Sequence, residues 1–455
     1  MAPDPVSGML ARAIEALEAE FGALPEFEAE LGASDAAMAG VLEATAHRLG
    51  DNYPYFHPLY AGQMLKPPHP VARAAYALAM KLNPNNHARD GGRASSAMEV
   101  EAVQEIAEMF GWTEFLGHLT SSGTIANLEA LWLAGQVTSG KRIVGSEQAH
   151  YTHERISGVL HLNYEGVKTD NGGRMDLEAL ESELRKGDVG TVVATLGTTA
   201  MGAVDRLDEI LALKKSYEFR VHVDAAYGGY FGLIPEALDE PARRAFAVIG
   251  EADSIVIDPH KHGLQPYGCG CVLFRDPGVG AFYQHDSPYT YFTSQELHLG
   301  EISLECSRAG AAAVALWATQ RLLPLKPGGE FARGLKRGRR AAVELDRRLR
   351  EDERFEALTA GGPELDIVVW AMALHTADLW RASERNLEMF DTCAKWGLHL
   401  ALVQLPGSWF EKPGGPKFAG SMRCLRSVLM KPEHEAWLDG IWERLSRACT
   451  EVLGG

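Results

Sequence analysis

The sequence predicts an α/β fold with a mostly parallel central sheet. From about residue 90 to 275, short apolar runs alternate with segments that have helical spacing. The runs are rich in β-branched residues and show little apolar–polar alternation, as expected for strands that are buried on both faces. The five candidate strands are KRIVG (141–145), TVVATLG (191–197), FRVHVD (219–224), SIVID (254–258) and GCVLF (270–274).

The regions on either side of this core have a different texture. Apolar residues at helical spacing from Leu10 to Phe21 predict an N-terminal helix, and the proline-, histidine- and tyrosine-rich stretch 51–70 predicts loops. The stretch LKPGGEF, which begins at Leu325, predicts a boundary before further helix and strand patterns. We therefore expect an N-terminal helical and loop segment (1–90), a large α/β domain (91–325) and a small C-terminal α+β domain (326–455).

One helix start carries a sequence signal of its own. Ser96 and Glu99 have the spacing of a capping box, in which each side chain bonds to a backbone N–H of the first turn. The helix that follows is predicted to bury one apolar face. That face comprises Val100, Val103, Ile106, Ala107 and Phe110.

Composition limits the partners of the chain. It has 455 residues, 46% of them hydrophobic, and 44 Lys+Arg against 61 Asp+Glu, which makes a formal charge of −17. Such an acidic chain is not expected to bind nucleic acid or an acidic membrane, so the predicted partner is a small molecule. No stretch approaches the roughly 18 apolar residues of a membrane span, and the N-terminus lacks a signal-peptide pattern, so we expect a cytoplasmic protein.

The six cysteines do not predict a disulfide framework or a metal site. They include no Cys-x-x-Cys pair, and their spacing over the chain is wide. Cys269 and Cys271 lie two residues apart near a predicted strand and therefore share a face, as small core residues do. We expect no bound metal.

The loop LTSSGTIANLEAL (119–131) is a candidate anion site. It places Ser122, Gly123 and Thr124 directly before a predicted helix. Small residues let backbone amides approach an anion, and the helix N-terminus adds partial positive charge. A phosphate cradle and an ordinary helix cap both fit this pattern, whereas a Walker phosphate loop does not, because no Gly-Lys-Ser/Thr follows.

Two further candidate groups follow predicted strands, where ligands of open parallel sheets bind. Asp224 ends one strand and is followed by the small Ala226, so its carboxylate could hold a protonated ring nitrogen or simply cap a helix. His260 and Lys261 follow the apolar run SIVID. A lysine that is partly desolvated there can lose its proton near neutral pH and react with an aldehyde.

Five motifs together resemble the group II pyridoxal-phosphate-dependent amino acid decarboxylases, the relatives of aromatic amino acid and glutamate decarboxylases. The motifs are TSSGTIANLEAL, GSEQAHYTHER, VVATLGTT, HVDAAYGGY and DPHKHGLQPYGCG, and the resemblance is clearest from about residue 90 to 320. It implies fold type I, the aspartate aminotransferase-like fold, with pyridoxal 5'-phosphate as cofactor. It also implies a homodimer whose active sites are shared between subunits.

The resemblance assigns roles to individual residues. Lys261 is similar to the lysine that forms the Schiff base, and His260 to a residue that helps to hold the phosphate. His150 is similar to the histidine that stacks on the ring, and Asp224 to the partner of the ring nitrogen. The remaining cofactor-binding residues that the resemblance implies are Ser122, Gly123, Thr124, Thr198 and Ala226.

The same resemblance predicts the reaction. The stretch HDSPYTYFTSQ (285–295) resembles the family's mobile catalytic loop, in which a tyrosine reaches into the partner subunit's active site. Tyr289 is the expected proton donor and Tyr291 its rival. A phenol can protonate the substrate carbon, so we expect an L-amino acid to be converted into its amine and CO2. The alternatives are a carbon–carbon lyase similar to sphingosine-phosphate lyase and an oxygen-dependent aldehyde synthase.

The substrate side chain stays open at the level of sequence. Aromatic residues of the stretch 53–65 could form a pocket for an aromatic side chain or pack a dimer interface. Alternatively, Lys66, Arg89 and Arg93 could recognise an acidic side chain. Arg423 and Arg426 lie where related folds often hold a carboxylate-binding arginine, but we expect them to form surface ion pairs.

Overall fold

Two sheets surrounded by helices form the chain in the computed structural model. The structure describes residues 6–454 apart from 23, 26, 28–31, 88, 285–301, 360, 374–377 and 412–417. The helices in this part of the chain are α1 (Val6–Glu20), α2 (Asp35–Leu49), α3 (Pro70–Met80), α4 (Arg93–Met109), α5 (Gly123–Val137), α6 (Thr152–Val159), α7 (Leu177–Leu184), α8 (Leu207–Leu213), α9 (Glu240–Ala247), α10 (Gly310–Leu322), α11 (Glu330–Glu351), α12 (Leu379–Lys395) and α13 (His434–Gly454). Among the described residues, no helix is both long and apolar enough to cross a membrane.

The large sheet has seven strands in the order β1-β7-β6-β5-β4-β2-β3. Strand β7 runs antiparallel to its two neighbours, and the other pairs are parallel. The prediction of a mostly parallel α/β sheet is therefore confirmed. The strands are β1 (Leu116–Thr120), β2 (Arg142–Ser146), β3 (Tyr164–Val167), β4 (Val189–Thr195), β5 (Arg220–Asp224), β6 (Ser254–Ile257) and β7 (Gly270–Phe274).

All five predicted strands occur in this sheet, whereas β1 and β3 were not predicted. Every residue of β4 and of β6 is buried, which explains the continuous apolar runs that made them recognisable. Strand β3 is at the sheet edge and partly exposed, so its residues YEGV lack that signal. The parallel strands β4, β5 and β6 end at one edge of the sheet, and this edge carries the site described below.

The predicted capping box at Ser96 and Glu99 is wrong. Helix α4 begins at Arg93, three residues earlier, and its N-cap Gly92 makes no side-chain capping bond. Glu99 is instead buried, where it accepts hydrogen bonds from the backbone of Leu119 and from the guanidinium of Arg308. Long-range polar partners have therefore taken Glu99 out of its local motif.

The face of α4 that packs into the core also differs from the prediction at one position. Val100 is exposed. The other four predicted residues, Val103, Ile106, Ala107 and Phe110, are buried as expected.

A second, antiparallel sheet lies in the C-terminal part of the chain. Its strands follow the order β10-β11-β9-β8. The side chains of β9 alternate between two hydrophobic clusters: Ile367, Val369 and Ala371 join the core of the large sheet, whereas Val368, Trp370 and Met372 join a separate C-terminal core. The predicted division at residue 325 stays a prediction. The main apolar core includes residues on both sides of it, such as Leu316 and Phe331. The strands are β8 (Phe355–Ala357), β9 (Ile367–Met372), β10 (Ala401–Pro406) and β11 (Ser421–Val428).

Candidate active site

A cavity opens at the carboxyl edge of the large sheet. It encloses about 680 Å³ including its mouth, within the range of roughly 300–1,000 Å³ that small-molecule sites occupy. Eight of the nine predicted cofactor-binding residues line it. They are Ser122, Gly123, Thr124, His150, Asp224, Ala226, His260 and Lys261.

The N-terminus of α5 forms one wall of the cavity. Ser122 caps the helix, and its hydroxyl accepts a hydrogen bond from the backbone N–H of Ile125 at 3.3 Å. A Cβ atom at Gly123 would lie 2.5 Å from Oδ2 of Asp258, so only glycine fits at this contact. The free amides of the first turn and the dipole of a 15-residue helix suit a bound anion here.

Lys261 lies in the turn that follows β6. Its Nζ atom is 3.0 Å from Oδ2 of Asp258, and its side chain keeps 21% of its surface exposed. Within the described residues, Oδ1 of Asp258 is buried and has no hydrogen-bond partner. The amine therefore faces the cavity beside a carboxylate that has unused acceptor capacity.

His260 is fixed by the backbone of the next strand. Its Nδ1–H donates to the carbonyl of Cys269 at 2.7 Å, and its ring packs on Tyr267 with 4.8 Å between centroids. Burial lowers the pKa of His260. Its other ring nitrogen, Nε2, lies 3.5 Å from Asp258.

Asp224 ends β5 at the floor of the cavity and is buried. Its Oδ2 accepts a hydrogen bond from Nε2 of His153 at 2.8 Å, and its Oδ1 accepts one from the backbone N–H of Ala226 at 3.1 Å. Burial alone would raise the pKa of Asp224, but the donated bond from His153 and the nearby charge of Lys261 hold it well below its usual range. This carboxylate is therefore ionised.

His150 and Ala226 complete the predicted set. Nδ1 of His150 is 2.8 Å from the hydroxyl of Thr152, which fixes the ring orientation. Burial lowers the pKa of His150, so the imidazole is neutral near pH 7. A flat neutral ring and a small methyl group that line one cavity suit the two faces of an aromatic ligand.

Thr198 is the one predicted cofactor-binding residue that does not line the cavity. It is fully buried, and its hydroxyl accepts a hydrogen bond from the backbone N–H of Ala203 at 3.0 Å. The side chain stabilises the turn after β4 instead of facing the ligand space. Thr195 and Thr199 line the cavity in this region.

The predicted catalytic tyrosine lies outside the described residues, as does its rival Tyr291. Both belong to the stretch 285–301. Tyr283, two residues before this stretch, donates its hydroxyl hydrogen to the buried Glu129 at 2.9 Å. Tyr289 therefore stays a prediction.

Lys66 and Arg93, two of the predicted acid-recognising cations, do not line this cavity. Lys66 is buried elsewhere and donates to the carbonyl of Met430 at 3.2 Å, while Arg93 is exposed at the start of α4. The side chain of Arg89 is outside the described part. Of the residues 53–65, Met64 is the one that lines the cavity.

The aromatic loop packs toward the C-terminal region. Tyr53 contacts His399, with 4.9 Å between ring centroids, and His57 contacts Trp437 at 4.8 Å. Tyr55 and Tyr60 pack edge to face, also at 4.9 Å. These contacts turn the loop away from the cavity within one chain.

The expectation of surface ion pairs is right for one arginine and wrong for the other. Arg423 lies 3.7 Å from Glu384 at the surface. Arg426 is buried, where its guanidinium donates to the carbonyl of Thr199 and to the side chain of Gln63 at 2.7 Å. It thus connects two segments next to the cavity wall.

Several cavity residues escaped the sequence reasoning. Asn127 follows Gly123 by one helical turn, and Thr195 is the last residue of β4, so both positions carried a usable signal. His153 follows His150 by three residues. Nothing local to its sequence indicated that it would reach Asp224.

The groups in the cavity fit pyridoxal phosphate. Lys261 offers an amine for an aldehyde, Asp224 an anion for the ring nitrogen, and the N-terminus of α5 a place for the phosphate. Because Oδ1 of Asp258 is buried without a partner among the described residues, the cavity also has polar capacity left for a ligand.

Comparison with known proteins agrees with this geometry. The model of the pyridoxal-dependent decarboxylase conserved domain matches residues 71–372. An L-tyrosine decarboxylase of Enterococcus faecium is 29% identical, over 78% of this chain and 75% of that protein. A probable L-tyrosine/L-aspartate decarboxylase of Methanosarcina mazei is 26% identical, over 93% of this chain and 99% of that protein.

Solved structures share the fold. Mouse CSAD in its apo form superposes with a TM-score of 0.78 and 22% identity, over 95% of this chain and 91% of that chain. Oryza sativa TDC with PLP and tryptamine superposes with a TM-score of 0.78 and 19% identity, over 99% of both chains. The chain belongs to the pyridoxal-dependent decarboxylase family and is a pyridoxal-phosphate-dependent enzyme that decarboxylates an amino acid.

Proposed function

We propose that the substrate is an aromatic L-amino acid, with L-tyrosine as the first candidate. The observation that carries this proposal is the lining of the cavity: within the described residues, it contains no arginine and no lysine other than Lys261. An acidic side chain would need a cation to offset its desolvation, whereas an aromatic side chain would not. Relatives named L-tyrosine decarboxylase support the same choice.

The cofactor and the residues around it would divide the chemistry between them. When bound, pyridoxal phosphate supplies a reactive aldehyde and a conjugated ring that takes up the electron pair left when the bond from Cα to the carboxylate breaks. Lys261 would hold the aldehyde carbon through Nζ and give it up to the amine of the substrate. Asp224 would keep the ring nitrogen protonated, because its ionised carboxylate favours a positive partner.

The phosphate and the ring would be held at separate walls of the cavity. The first turn of α5, with Ser122, Gly123 and Thr124, would bind the phosphate through backbone amides and hydroxyls. His260 would add a polar contact from the turn after β6. His150 and Ala226 would then pack on the ring and fix its plane, and the bond at Cα that stands perpendicular to this plane is the one that breaks.

The proton that Cα receives is the step that separates an amine from an aldehyde product. We propose Tyr289 as its donor, since a phenol can transfer a proton whereas a phenyl ring cannot. Tyr289→Phe is expected to lower amine formation at least tenfold and to introduce oxygen consumption, measured together with CO2 release. Tyr291→Phe is the matched control, and unchanged amine formation in Tyr289→Phe would assign the donor to another residue.

We also propose that the enzyme works as a homodimer in the cytoplasm. Helices α1 and α2 have no buried residue, and they expose apolar side chains such as Met9, Val41 and Leu42. A helix of 15 residues such as α2 would be marginal in water without a surface to pack on. The free state of all six cysteines fits a reducing compartment.

The dimer can be tested with two variants on α2. Val41→Asp with Leu42→Asp is expected to shift the sedimentation coefficient from dimer to monomer, because charges would enter an apolar interface. Thr45→Asp and Glu43→Gln, which lie on the same exposed helix, serve as controls for general charge effects. A dimer that is unchanged at micromolar concentration in the first pair would place the interface elsewhere.

The substrate proposal is tested by CO2 release from a panel of L-amino acids. The enzyme is saturated with pyridoxal phosphate and offered tyrosine, phenylalanine, tryptophan, aspartate, glutamate and lysine. We expect kcat/KM to be at least 100-fold higher for an aromatic substrate than for aspartate. Release from aspartate alone would contradict the aromatic choice and indicate a cation contributed by the undescribed residues or a second subunit.

A further inference from the structure

His153 is a buried histidine that has no role in the proposed reaction. It lies on α6, is fully buried, and points Nε2 at Oδ2 of Asp224 over 2.8 Å. Among the described residues, its other ring nitrogen, Nδ1, is buried and has no hydrogen-bond partner. A polar ring that makes one bond only, to a residue of the cavity floor, calls for an explanation.

The partners of His153 decide where its proton lies. An ionised carboxylate accepts hydrogen bonds and cannot donate them, so Nε2 must carry the hydrogen. His153 therefore presents a defined donor, Nε2–H, to Asp224.

The other side-chain donor to Asp224 is much weaker. The amide of Asn127 lies 3.4 Å from the same Oδ2. Its carbonyl accepts from Nε2 of His222 at 2.8 Å, and His222 in turn contacts the hydroxyl of Ser254 at 2.9 Å. Asn127 is thus held by a separate chain of bonds, which leaves His153 as the strong side-chain donor.

We propose that His153 is a positioning residue that holds the carboxylate of Asp224 ionised and in one orientation for the ring nitrogen of pyridoxal phosphate. This inference rests on the proposed function of Asp224. The bond to His153 holds the carboxylate of Asp224 in the orientation in which it lines the cavity. Without it, the carboxylate would lose its shortest bond and the preference for a protonated ring nitrogen would weaken.

A cofactor analogue separates this role from ordinary packing. In 1-deazapyridoxal phosphate a carbon replaces the ring nitrogen, so Asp224 has nothing to hold. The full chain is freed of cofactor, and the Kd of pyridoxal phosphate and of the analogue are measured by equilibrium dialysis. The Kd of the analogue divided by the Kd of pyridoxal phosphate reports the strength of the ring-nitrogen contact. General loosening of the cavity weakens both cofactors and cancels in this ratio.

We expect His153→Leu to reduce this ratio about tenfold, since one charge-assisted bond is lost. His153→Gln should restore the ratio to within about threefold, because its amide can still reach Oδ2. His153→Asn, whose amide is too short to reach, should behave like His153→Leu and replaces it if the apolar variant does not fold. Ile156→Val, a buried change on the same helix away from Asp224, should leave the ratio unchanged.

The possible outcomes are distinct. If His153→Leu and His153→Asn weaken both cofactors equally, the role is packing alone and the inference is overturned. If Ile156→Val changes the ratio as much, the readout is not specific to Asp224 and the inference is also overturned. A wild-type chain that binds neither cofactor would instead contradict the proposed function.

Discussion

Two clusters of buried charge in this protein look alike in composition but differ in what their bonds do. The cavity cluster consists of Lys261, Asp258 and Asp224. The staple cluster consists of Lys66, Lys431, Asp366 and Tyr227. Both contain lysines and carboxylates that are largely withdrawn from water.

In the staple cluster, every charge is used to join parts of the chain. Lys66 donates to the carbonyl of Met430, Lys431 donates to the carbonyl of Tyr60, and the hydroxyl of Tyr227 donates to Asp366 at 2.6 Å. These bonds connect segments that lie more than 130 residues apart in sequence. These bonds therefore stabilise the fold.

In the cavity cluster, by contrast, bonding capacity is left over. Oδ1 of Asp258 has no partner in the described structure, and Lys261 keeps part of its side chain open to the cavity. Burial of charge alone therefore does not identify an active site. An active site is better identified by the number of hydrogen-bond donors and acceptors that remain free for a ligand.

The largest expected effect is the loss of activity when Lys261 is replaced. Lys261→Met should lower the rate of CO2 release by at least about 10³-fold, because the amine that exchanges the substrate is removed. Borohydride treatment followed by peptide mapping should find the cofactor on residue 261 in the wild type only. Lys66→Met, the matched change of a buried lysine in the staple cluster, should keep kcat within about threefold.

The comparison would fail if these roles were exchanged. A cofactor adduct on Lys66, or equal loss of activity in both lysine variants, would show that free bonding capacity does not mark the reactive lysine.

The next largest effect should be on stability. Asp366→Leu removes the carboxylate that faces Lys66 and Arg339 and accepts from Tyr227, so buried cations and a hydroxyl lose their partner. We expect the free energy of unfolding to fall by about 3 kcal/mol, measured by urea denaturation. Glu218→Leu, an exposed acid, should change it by less than about 0.5 kcal/mol. An unchanged free energy of unfolding in Asp366→Leu would show that the staple cluster does not stabilise the fold.

The staple cluster also predicts how stability depends on pH. Burial, followed by repulsion from Lys66, lowers the pKa of Lys431 to about 7 from the ordinary 10.5. Between these values the unfolded chain binds a proton that the folded chain does not, so this group makes the protein more stable as pH rises. The destabilisation that results from burying protonated Lys431 is fully present below about pH 7.

The pH effect is measured as a difference. The stability of the wild type relative to Lys431→Met should increase from pH 7 to pH 9, with a slope of at most about 1.4 kcal/mol per pH unit. Urea denaturation at pH 6, 7, 8 and 9 gives this difference directly. A flat difference would show that Lys431 keeps an ordinary pKa.

The smallest expected effect concerns Tyr227, which belongs to both regions. Its ring lines the cavity and its hydroxyl bonds to Asp366. Tyr227→Phe should lower the free energy of unfolding by about 1 kcal/mol and leave kcat/KM within about threefold, because the ring stays in place. A loss of activity without a loss of stability would instead place the hydroxyl in the chemistry.

The outcome for Glu99 and Thr198 illustrates what a local pattern can decide. Glu99 has the spacing of a capping box, yet its carboxylate accepts buried hydrogen bonds from Leu119 and Arg308 instead. Thr198 lies in a motif of the right kind, yet its hydroxyl bonds to the turn, and Thr199 lines the cavity instead. Neighbours in sequence compete for such positions, and only packing chooses between them.

The sequence by itself determined the α/β class, five strands of the large sheet, and the residues that follow those strands at the cavity. This was possible because buried parallel strands leave continuous apolar runs, and because ligands bind where such strands end. Lys261 and Asp224 were therefore candidates from local patterns, and the family resemblance gave them their expected roles.

Only the tertiary structure decided which distant side chains these residues meet. His153 reaches Asp224 across 71 residues of chain, and Lys66 reaches Met430 across 364. Such contacts depend on how helices and sheets pack, and no periodicity of 2 or 3.6 residues records them. The candidate groups of the site could thus be predicted from the sequence, whereas the bonds that orient these groups were set by the fold.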